Sequence, residues 1–236
     1  MLSIKNFTKC YVKNKPAVKN LSLEVSSKDL FAFIGHNGAG KSTLIKAICG
    51  IIDFDEGDIF IDKKSIRTQP DECKKIVAYV PDNPDIYDFM TGSQYLDFVS
   101  NIYQIDKDER KTLIDTYSKA FSIDKNLSQK ISTYSHGMKQ KLVLISSFIH
   151  KPKLLILDEP FVGLDPVASH ALKQMMKVFC DNGGAIFFST HVLEVAEKLC
   201  NKVAIIKKGE IIKCGTMSEI RKDSTLEDIF LELENE

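Results

Sequence analysis

The sequence predicts an α/β fold: a mostly parallel sheet with flanking helices, an antiparallel β subdomain and an inserted all-helical subdomain. Three observations support this prediction. An apolar run at 30–34 leads through a glycine-rich loop into a helical pattern, residues 82–150 are almost wholly helical in pattern, and strands and helices alternate again after Pro152. We expect one domain over 1–236, with the core and the antiparallel sheet in 1–81 and 151–236 and the helical subdomain in 82–150.

The N-terminal third predicts strands around one helix. Leu21, Leu23 and Val25 alternate with polar neighbours, as a half-exposed antiparallel strand requires. The run at 30–34 is apolar throughout, which is typical of a strand buried on both faces. The other expected elements are a helix at 43–49 ended by Gly50, a turn at 55–57, and strands at 58–62 and 76–80, the last ended by Pro81.

The middle of the chain carries helix signals. Thr91-Gly92-Ser93-Gln94 fits a capping box, which predicts a helix from there to about Tyr103. Two more helices are expected, at 107–121 and from the N-cap Ser135 to about His150. The elements expected after Pro152 are a strand at 154–157, a helix begun by Asp165-Pro166, a strand at 185–189, a helix at 192–200, a hairpin at 203–214 turned at Lys208-Gly209, and a C-terminal helix with an apolar stripe of Leu226, Ile229, Phe230 and Leu233.

Composition excludes several classes of protein. Lys plus Arg and Asp plus Glu both number 32, so the chain lacks the basic excess typical of nucleic-acid binding, and we expect no nucleic-acid partner. Six cysteines without a C-x-x-C pair indicate reduced thiols in a cytoplasmic protein. The start has no apolar signal-peptide core, and no apolar stretch is long enough to span a bilayer. Any membrane role is therefore expected to come through a partner.

One loop predicts that the chain binds a nucleoside triphosphate. Residues 35–42 match the P-loop pattern G-x-x-x-x-G-K-[ST]. Glycines let backbone N–H groups turn toward a polyphosphate, Lys41 can reach the β and γ phosphates, and Ser42 offers a hydroxyl to Mg²⁺. The predicted core is therefore that of a P-loop NTPase with ATP and Mg²⁺ as its cofactors. The expected contacts of the nucleotide in this segment are Gly35, His36, Asn37, Gly38, Ala39, Gly40, Lys41, Ser42 and Thr43.

A second segment supplies the carboxylates that such a site needs. Four apolar residues at 154–157 are followed by Asp158 and Glu159, at the strand end where open α/β sheets bind their ligands. We expect Asp158 to hold Mg²⁺, through water, and Glu159 to polarise the attacking water.

Four segments follow the P-loop in an order that is typical of one family. They are Tyr134-Ser135-His136-Gly137-Met138-Lys139-Gln140, Asp158-Glu159, Gly163-Leu164-Asp165-Pro166 and Ser189-Thr190-His191. In this order, with the P-loop, they resemble the nucleotide-binding subunit of ATP-binding cassette (ABC) transporters, and the resemblance covers nearly the whole chain.

The resemblance implies roles for residues outside the P-loop. Tyr11 corresponds to the aromatic residue that stacks on adenine, and His191 to the switch histidine that contacts the γ-phosphate. Ser135 and Gly137 fall in the signature loop and Asp165 in the D-loop. In the family, the signature loop binds the phosphate held by a second copy. The resemblance therefore implies a second nucleotide-binding subunit, identical or paralogous, in an ATP sandwich.

Two positions depart from the family pattern. The usual signature Ser-Gly-Gly-Gln is replaced by Ser135-His136-Gly137-Met138, which keeps the second glycine. After the strand at 76–80, the family places a glutamine that contacts Mg²⁺ and the attacking water, and this position is Asp82 here. A carboxylate is shorter and charged, but it can still coordinate Mg²⁺. We expect Asp82 to keep the role of the glutamine.

The resemblance implies an ATPase subunit that powers a separate membrane-spanning transporter, held on the cytoplasmic face of the membrane by that partner. Ile86, Tyr87, Phe89 and Met90, within 85–95, are expected to form a docking patch for it or to pack in the core of the helical lobe. The signature and the Leu226-Glu227-Asp228-Ile229-Phe230 ending resemble exporters of drugs, peptides or lipids. Two alternatives stay open: a soluble cassette ATPase acting on DNA or ribosomes, and a nucleotide-gated regulatory module with little hydrolysis.

Overall fold

The computed structural model describes residues 1–13, 15–221 and 224–235. In chain order the strands are β1 (Leu2–Val12), β2 (Lys15–Val25), β3 (Leu30–Ile34), β4 (Glu56–Ile61), β5 (Lys64–Ser65), β6 (Val77–Val80), β7 (Leu154–Asp158), β8 (Ala185–Thr190), β9 (Lys202–Lys207) and β10 (Glu210–Thr216). The helices are α1 (Lys41–Ile48), α2 (Pro70–Lys74), α3 (Gly92–Ile102), α4 (Lys107–Ala120), α5 (His136–Ile149), α6 (Pro166–Asp181), α7 (Leu193–Leu199), α8 (Met217–Arg221) and α9 (Leu226–Asn235), with 3₁₀ turns at Asp124–Asn126 and Ile131–Thr133.

Two sheets form the framework. The larger has the strand order β10-β9-β3-β8-β7-β6, in which only the β10–β9 pair is antiparallel. The smaller sheet has the order β2-β1-β4-β5 and is antiparallel throughout. The predicted α/β class, with a mostly parallel sheet and a separate antiparallel sheet, is confirmed. Because β3, β7 and β8 are parallel neighbours, their carboxyl ends meet at one edge of the larger sheet.

Each face of the larger sheet has its own core. On β3, Phe31 and Phe33 point into a cluster with α1 and the small sheet. Leu30, Ala32 and Ile34 point into the opposite cluster, which includes residues of α5, α6, α7 and α9. All five residues are buried, as the uninterrupted apolar run predicts for a strand covered on both faces.

The helical segment follows the predicted pattern in α3, α4 and α5. The Thr91 hydroxyl accepts from the Gln94 N–H at 3.2 Å and the Gln94 side chain accepts from the Thr91 N–H at 2.8 Å, so the predicted capping box is present. Ser135 is the N-cap of α5, and its Oγ accepts from the Met138 N–H at 3.3 Å. Among the described residues, no helix is long and apolar enough to cross a membrane.

Several predicted boundaries were wrong. The turn expected at 55–57 is largely strand, since β4 begins at Glu56 and tolerates Gly57 at φ 87°, where the register with β1 shifts. The helix expected from 43 begins at Lys41, directly after the P-loop. The segment 82–90 contains no helix, and short elements such as α2 and α8 were missed because five residues carry too little periodicity.

Candidate functional site

The P-loop and the two acidic strand ends line one cavity of about 220 Å³. It lies where β3 and β7 end and α1 begins. The lining residues are Ala17, His36, Asn37, Gly38, Gly40, Lys41, Ser42, Thr43, Asp82, Asp158 and Glu159. Segments more than a hundred positions apart in sequence therefore converge on one small space.

Two positions of the loop require glycine, because backbone atoms of neighbouring strands lie too close for a side chain. A Cβ atom at Gly35 would lie 2.5 Å from the Ile206 carbonyl oxygen. Gly40, at φ 110°, caps the start of α1, and a Cβ there would lie 2.8 Å from the Ala17 carbonyl oxygen. Side chains at either position would push the loop away from β2 and β9 and change the cradle that it forms in front of α1.

Lys41 is folded back into this loop. Its Nζ donates to the Gly35 carbonyl at 2.5 Å and to the His36 carbonyl at 3.3 Å, and it lies 4.0 Å from Glu159 Oε1. Burial lowers the pKa of Lys41, while the negative charges of Glu159 and Asp158 act in the opposite direction. The loop thus holds a buried cation next to two carboxylates, which suits a phosphate ligand of opposite charge.

The end of β7 carries Asp158, which is only 4% exposed. Asp158 Oδ1 accepts from the Ser189 Oγ at 2.5 Å, a bond that joins β7 to the neighbouring β8. Ser189 also accepts from the Glu159 N–H through its Oγ, at 3.3 Å. One buried hydroxyl therefore positions both carboxylate residues.

Glu159 has a left-handed backbone, with φ 47°. Its Oε2 lies 3.0 Å from His191 Nδ1 and accepts from the His191 N–H at 3.4 Å. Its Oε1 is buried and has no hydrogen-bond partner among the described residues. A buried carboxylate oxygen with free acceptor capacity in a phosphate cavity can receive a proton from water.

The cavity also has oxygen ligands suited to Mg²⁺. The Ser42 hydroxyl and the carboxylates of Asp82 and Asp158 line it together. Within the described ranges, no group of three or more His, Cys, Asp and Glu residues could hold a metal ion. The Ser42 hydroxyl and the two carboxylates suit Mg²⁺, because this ion binds through one or two carboxylates, water and the phosphates of a nucleotide.

Tyr11 lies beside this cavity on β1 and does not line it. The side chain is 62% exposed, and its hydroxyl is 3.5 Å from the Thr43 Oγ1 at the start of α1. The Lys9 ammonium lies 5.6 Å from the ring centroid. A ring that is mostly exposed next to the P-loop helix is accessible to a stacking partner.

Ser135, Gly137 and Asp165 do not line the cavity but are grouped with each other. A Cβ atom at Gly137 would lie 2.4 Å from the Gly163 carbonyl oxygen. Two residues further, Asp165 caps α6, and its Oδ2 lies 2.5 Å from Lys141 Nζ on α5. Hydrogen bonding to Lys141 lowers the pKa of Asp165. We call this surface, formed by 135–137 and 163–165, the signature surface.

Sequence reasoning missed Ala17 and the role of Ser189. Ala17 lines the cavity, which no side-chain pattern reveals, because it comes from β2 of the other sheet. Ser189 did carry a signal, since it is a polar residue at the end of an apolar strand. Its hydroxyl bonds both to Asp158 and to Glu159.

The chain is similar to known proteins over most of its length. Residues 18–162 match the family described as ABC transporter. The ABC-type transporter ATP-binding protein EcsA of Bacillus subtilis (strain 168) is 35% identical over 241 residues, covering 100% of this chain and 97% of that protein. The linearmycin resistance ATP-binding protein LnrL of the same organism is 32% identical over 93% of this chain and 70% of its own length.

One solved structure superimposes on nearly the whole chain. The structure described as the ATP binding subunit of an ABC transporter is 31% identical, covers 99% of both chains and superimposes with a TM-score of 0.95. The family match covers more than half of the chain, and EcsA is aligned over nearly its whole length. The chain therefore belongs to the ABC transporter family, as an ATPase subunit that binds ATP.

Proposed function

We propose that the chain hydrolyses Mg²⁺-ATP to power a separate membrane-spanning exporter, to which it is bound at the cytoplasmic face of the cell membrane. The observation that carries the proposal is the convergence of Lys41, Asp158 and Glu159 on one cavity. A phosphate-binding cation, a metal-binding carboxylate and a carboxylate with a free oxygen are the groups that ATP hydrolysis requires.

In this proposal each group has one task. The loop 35–43 and Lys41 bind the β and γ phosphates, and Tyr11 stacks on the adenine. Ser42, Asp158 and Asp82 would hold Mg²⁺, which would neutralise phosphate charge. Glu159 takes the proton of the attacking water through Oε1, which accepts no hydrogen bond from the described residues. His191, held by Glu159 Oε2 at 3.0 Å, donates to the γ-phosphate.

The signature surface belongs to a second nucleotide site. Ser135 is the N-cap of α5, and the start of a helix favours an anion. Because Ser135, Gly137 and Asp165 do not line the cavity of their own chain, we assign them to the ATP held by a second subunit. Two chains, identical or paralogous, would then enclose two ATP molecules.

The partner in the membrane binds an exposed apolar patch of the helical segment. Phe89 is 72% exposed, Ile102 58% and Tyr87 49%. The Tyr87 ring lies 5.8 Å from the ring of Phe89 and 5.7 Å from that of Phe98, which lies one turn before Ile102 on α3. We call Tyr87, Phe89 and Phe98 the aromatic patch. Its exposure and apolar character suit a short cytoplasmic helix of a membrane protein.

Two features support export. The signature and the 226–230 ending resemble exporter cassettes, and LnrL, one of the relatives, is named for linearmycin resistance. Removal of a toxic compound from the cell is a common route to resistance. The proposed cargo is therefore a drug, peptide or lipid that leaves the cell, bound by the membrane partner.

Affinity purification tests the membrane partner. The chain is recovered from detergent-solubilised membranes of its own cell, together with a Phe89→Ser variant and a Val178→Ser control. Val178 is 57% exposed but lies on α6, outside the aromatic patch. We expect one polytopic membrane protein in near-stoichiometric amount with the wild type and the control, and a strong loss with Phe89→Ser. Recovery of ribosomal or DNA-bound proteins in its place would contradict the proposal.

A further inference from the structure

The C-terminal helix α9 contacts the P-loop through one aromatic pair. The ring of Phe230 lies against the ring of His36, with centroids 4.9 Å apart and planes inclined by 57°. Phe230 is 9% exposed, whereas the next residue, Leu231, is 56% exposed. The contact is therefore made by the packed face of α9.

Both ends of α9 are attached to the body of the protein. At its start, the Leu226 N–H donates to Glu197 Oε2 at 2.9 Å, and Glu197 also pairs with Arg221 at 3.1 Å. Near its end, Lys207 Nζ donates to the Leu233 carbonyl at 2.7 Å. The position of Phe230 over the loop is thus fixed from two directions.

The backbone carbonyl of His36 holds two other residues of the loop. It accepts from the Ala39 N–H at 3.1 Å and from Lys41 Nζ at 3.3 Å. Lys41 uses two of the three donors of its ammonium group on the carbonyls of Gly35 and His36, which leaves one donor for a phosphate. The contact between the two rings does not involve Lys41, so it holds His36 independently of the lysine.

We propose that Phe230 is a positioning residue for ATP binding, which acts by holding His36 and, with it, the P-loop in its phosphate-binding shape. The proposal rests on the proposed function of the loop. Without the aromatic contact the loop adopts other conformations as well. The affinity for ATP then falls in proportion to the fraction of molecules whose loop is in the phosphate-binding conformation. Glu197 lies on α7, the helix that follows His191, so α9 contacts both the P-loop and the segment after His191.

The test is the affinity of the full-length chain for Mg²⁺-ATP, measured by titration calorimetry, together with KM and kcat of hydrolysis. For Phe230→Ala and Phe230→Leu we expect the dissociation constant and KM to rise about three- to tenfold, the range typical of one aromatic pair. We expect kcat to change by less than about twofold, since the reacting groups are untouched. Phe230→Tyr, which keeps the ring, and Leu231→Ala, on the exposed face of α9, should bind ATP like the wild type.

A double-mutant cycle separates positioning from general destabilisation. If Phe230 acts through His36, the combination of His36→Ala and Phe230→Ala weakens ATP binding by clearly less than the product of the two single effects. Independent, multiplying effects would overturn the proposal, and so would wild-type affinity in both Phe230→Ala and Phe230→Leu. Phe230→Leu keeps an apolar side chain in the core, so it remains informative should Phe230→Ala fail to fold.

The same titration separates this proposal from the one on which it rests. Lys41→Ala should abolish measurable ATP binding. Wild-type affinity in Lys41→Ala would contradict the assignment of the loop itself. A loss in Lys41→Ala with wild-type affinity in the Phe230 variants would contradict the positioning role alone.

Discussion

At the scale of single residues, Glu159 combines an unusual backbone with an unsatisfied side chain. Its φ of 47° lies in the left-handed region, which costs a residue with a side chain on the order of 1–3 kcal/mol. The neighbouring strand holds this conformation, since the Glu159 N–H donates to the Ser189 carbonyl at 3.2 Å. The result places one carboxylate oxygen against His191 and leaves the other buried, 4.0 Å from Lys41 Nζ and without a hydrogen-bond partner in the described part of the chain. Strain of this kind is concentrated at functional sites, and here it aims the proposed base.

Asp82 gives a prediction at this scale. Asp82→Ala should lower Mg²⁺-ATP hydrolysis at least about tenfold, because the cavity loses one of its carboxylates for Mg²⁺. Phosphate release at saturating ATP over a range of Mg²⁺ concentrations measures the effect. Asp85→Ala is the matched control, since Asp85 is an exposed carboxylate of the same segment outside the cavity. Unchanged hydrolysis and transport in Asp82→Ala would show that the residue does not replace the family's glutamine.

His150 gives a prediction about pH. Burial lowers the pKa of His150 from 6.5 to about 4. Its ring stacks on Tyr103, with centroids 3.8 Å apart, and its Nε2 is buried without a hydrogen-bond partner among the described residues. Between pH 6.5 and 4 the unfolded chain binds a proton that the folded chain does not, so the free energy of unfolding falls as the pH falls.

The expected loss between pH 7.5 and 5.0 is about 2 kcal/mol from this residue alone. Urea unfolding at both pH values measures it. In His150→Phe, which keeps an aromatic ring beside Tyr103, the loss should be smaller by that amount. Equal losses in the variant and the wild type would mean that His150 titrates normally in the folded chain.

At the scale of elements, the sequence predicts structure best where a local signal acts alone. The capping box of α3, the N-cap Ser135 of α5 and the Asp165-Pro166 start of α6 lie where the residues predict. These signals are local hydrogen bonds between neighbours in the chain. The prediction for the start of β4 was wrong, because the irregular pairing of this strand with β1 cannot be recognised from its residues.

The site also has parts that the sequence predicts and parts that it does not. The loop 35–42 and the pair Asp158-Glu159 were predictable, because phosphate and Mg²⁺ binding restrict the residue types and their spacing. The Ala17 carbonyl and the contact of Phe230 with His36 were not, because both depend on which distant elements pack on the loop. The residue roles and the division into a core and a helical subdomain at 82–150 stay predictions.

The α3 capping box gives a prediction for this scale. Thr91→Ala removes the hydroxyl that accepts from the Gln94 N–H at 3.2 Å. We expect the free energy of unfolding to fall by about 1 kcal/mol, measured by urea unfolding at constant pH. Thr116→Ala, at an exposed position of α4, should leave it within about 0.5 kcal/mol of the wild type. A loss no larger than in this control would mean that the box does not stabilise α3.

At the scale of the whole molecule, the fold concentrates chemistry at one edge and leaves two surfaces outside it. The parallel order of β3, β8 and β7 brings the P-loop, His191 and the two carboxylates to the carboxyl end of the large sheet. The signature surface and the aromatic patch do not line the cavity. In the proposed function these two surfaces face the second subunit and the membrane partner, so that hydrolysis at the edge moves both.

ATP turnover by a Glu159→Gln variant, measured in the complex recovered with its membrane partner, tests the central claim most directly. The amide keeps the shape of the side chain but cannot take a proton from water. We predict that turnover falls about a hundredfold or more while ATP binding stays close to that of the wild type. Turnover near the wild-type rate would contradict the account, because another group would then be the base.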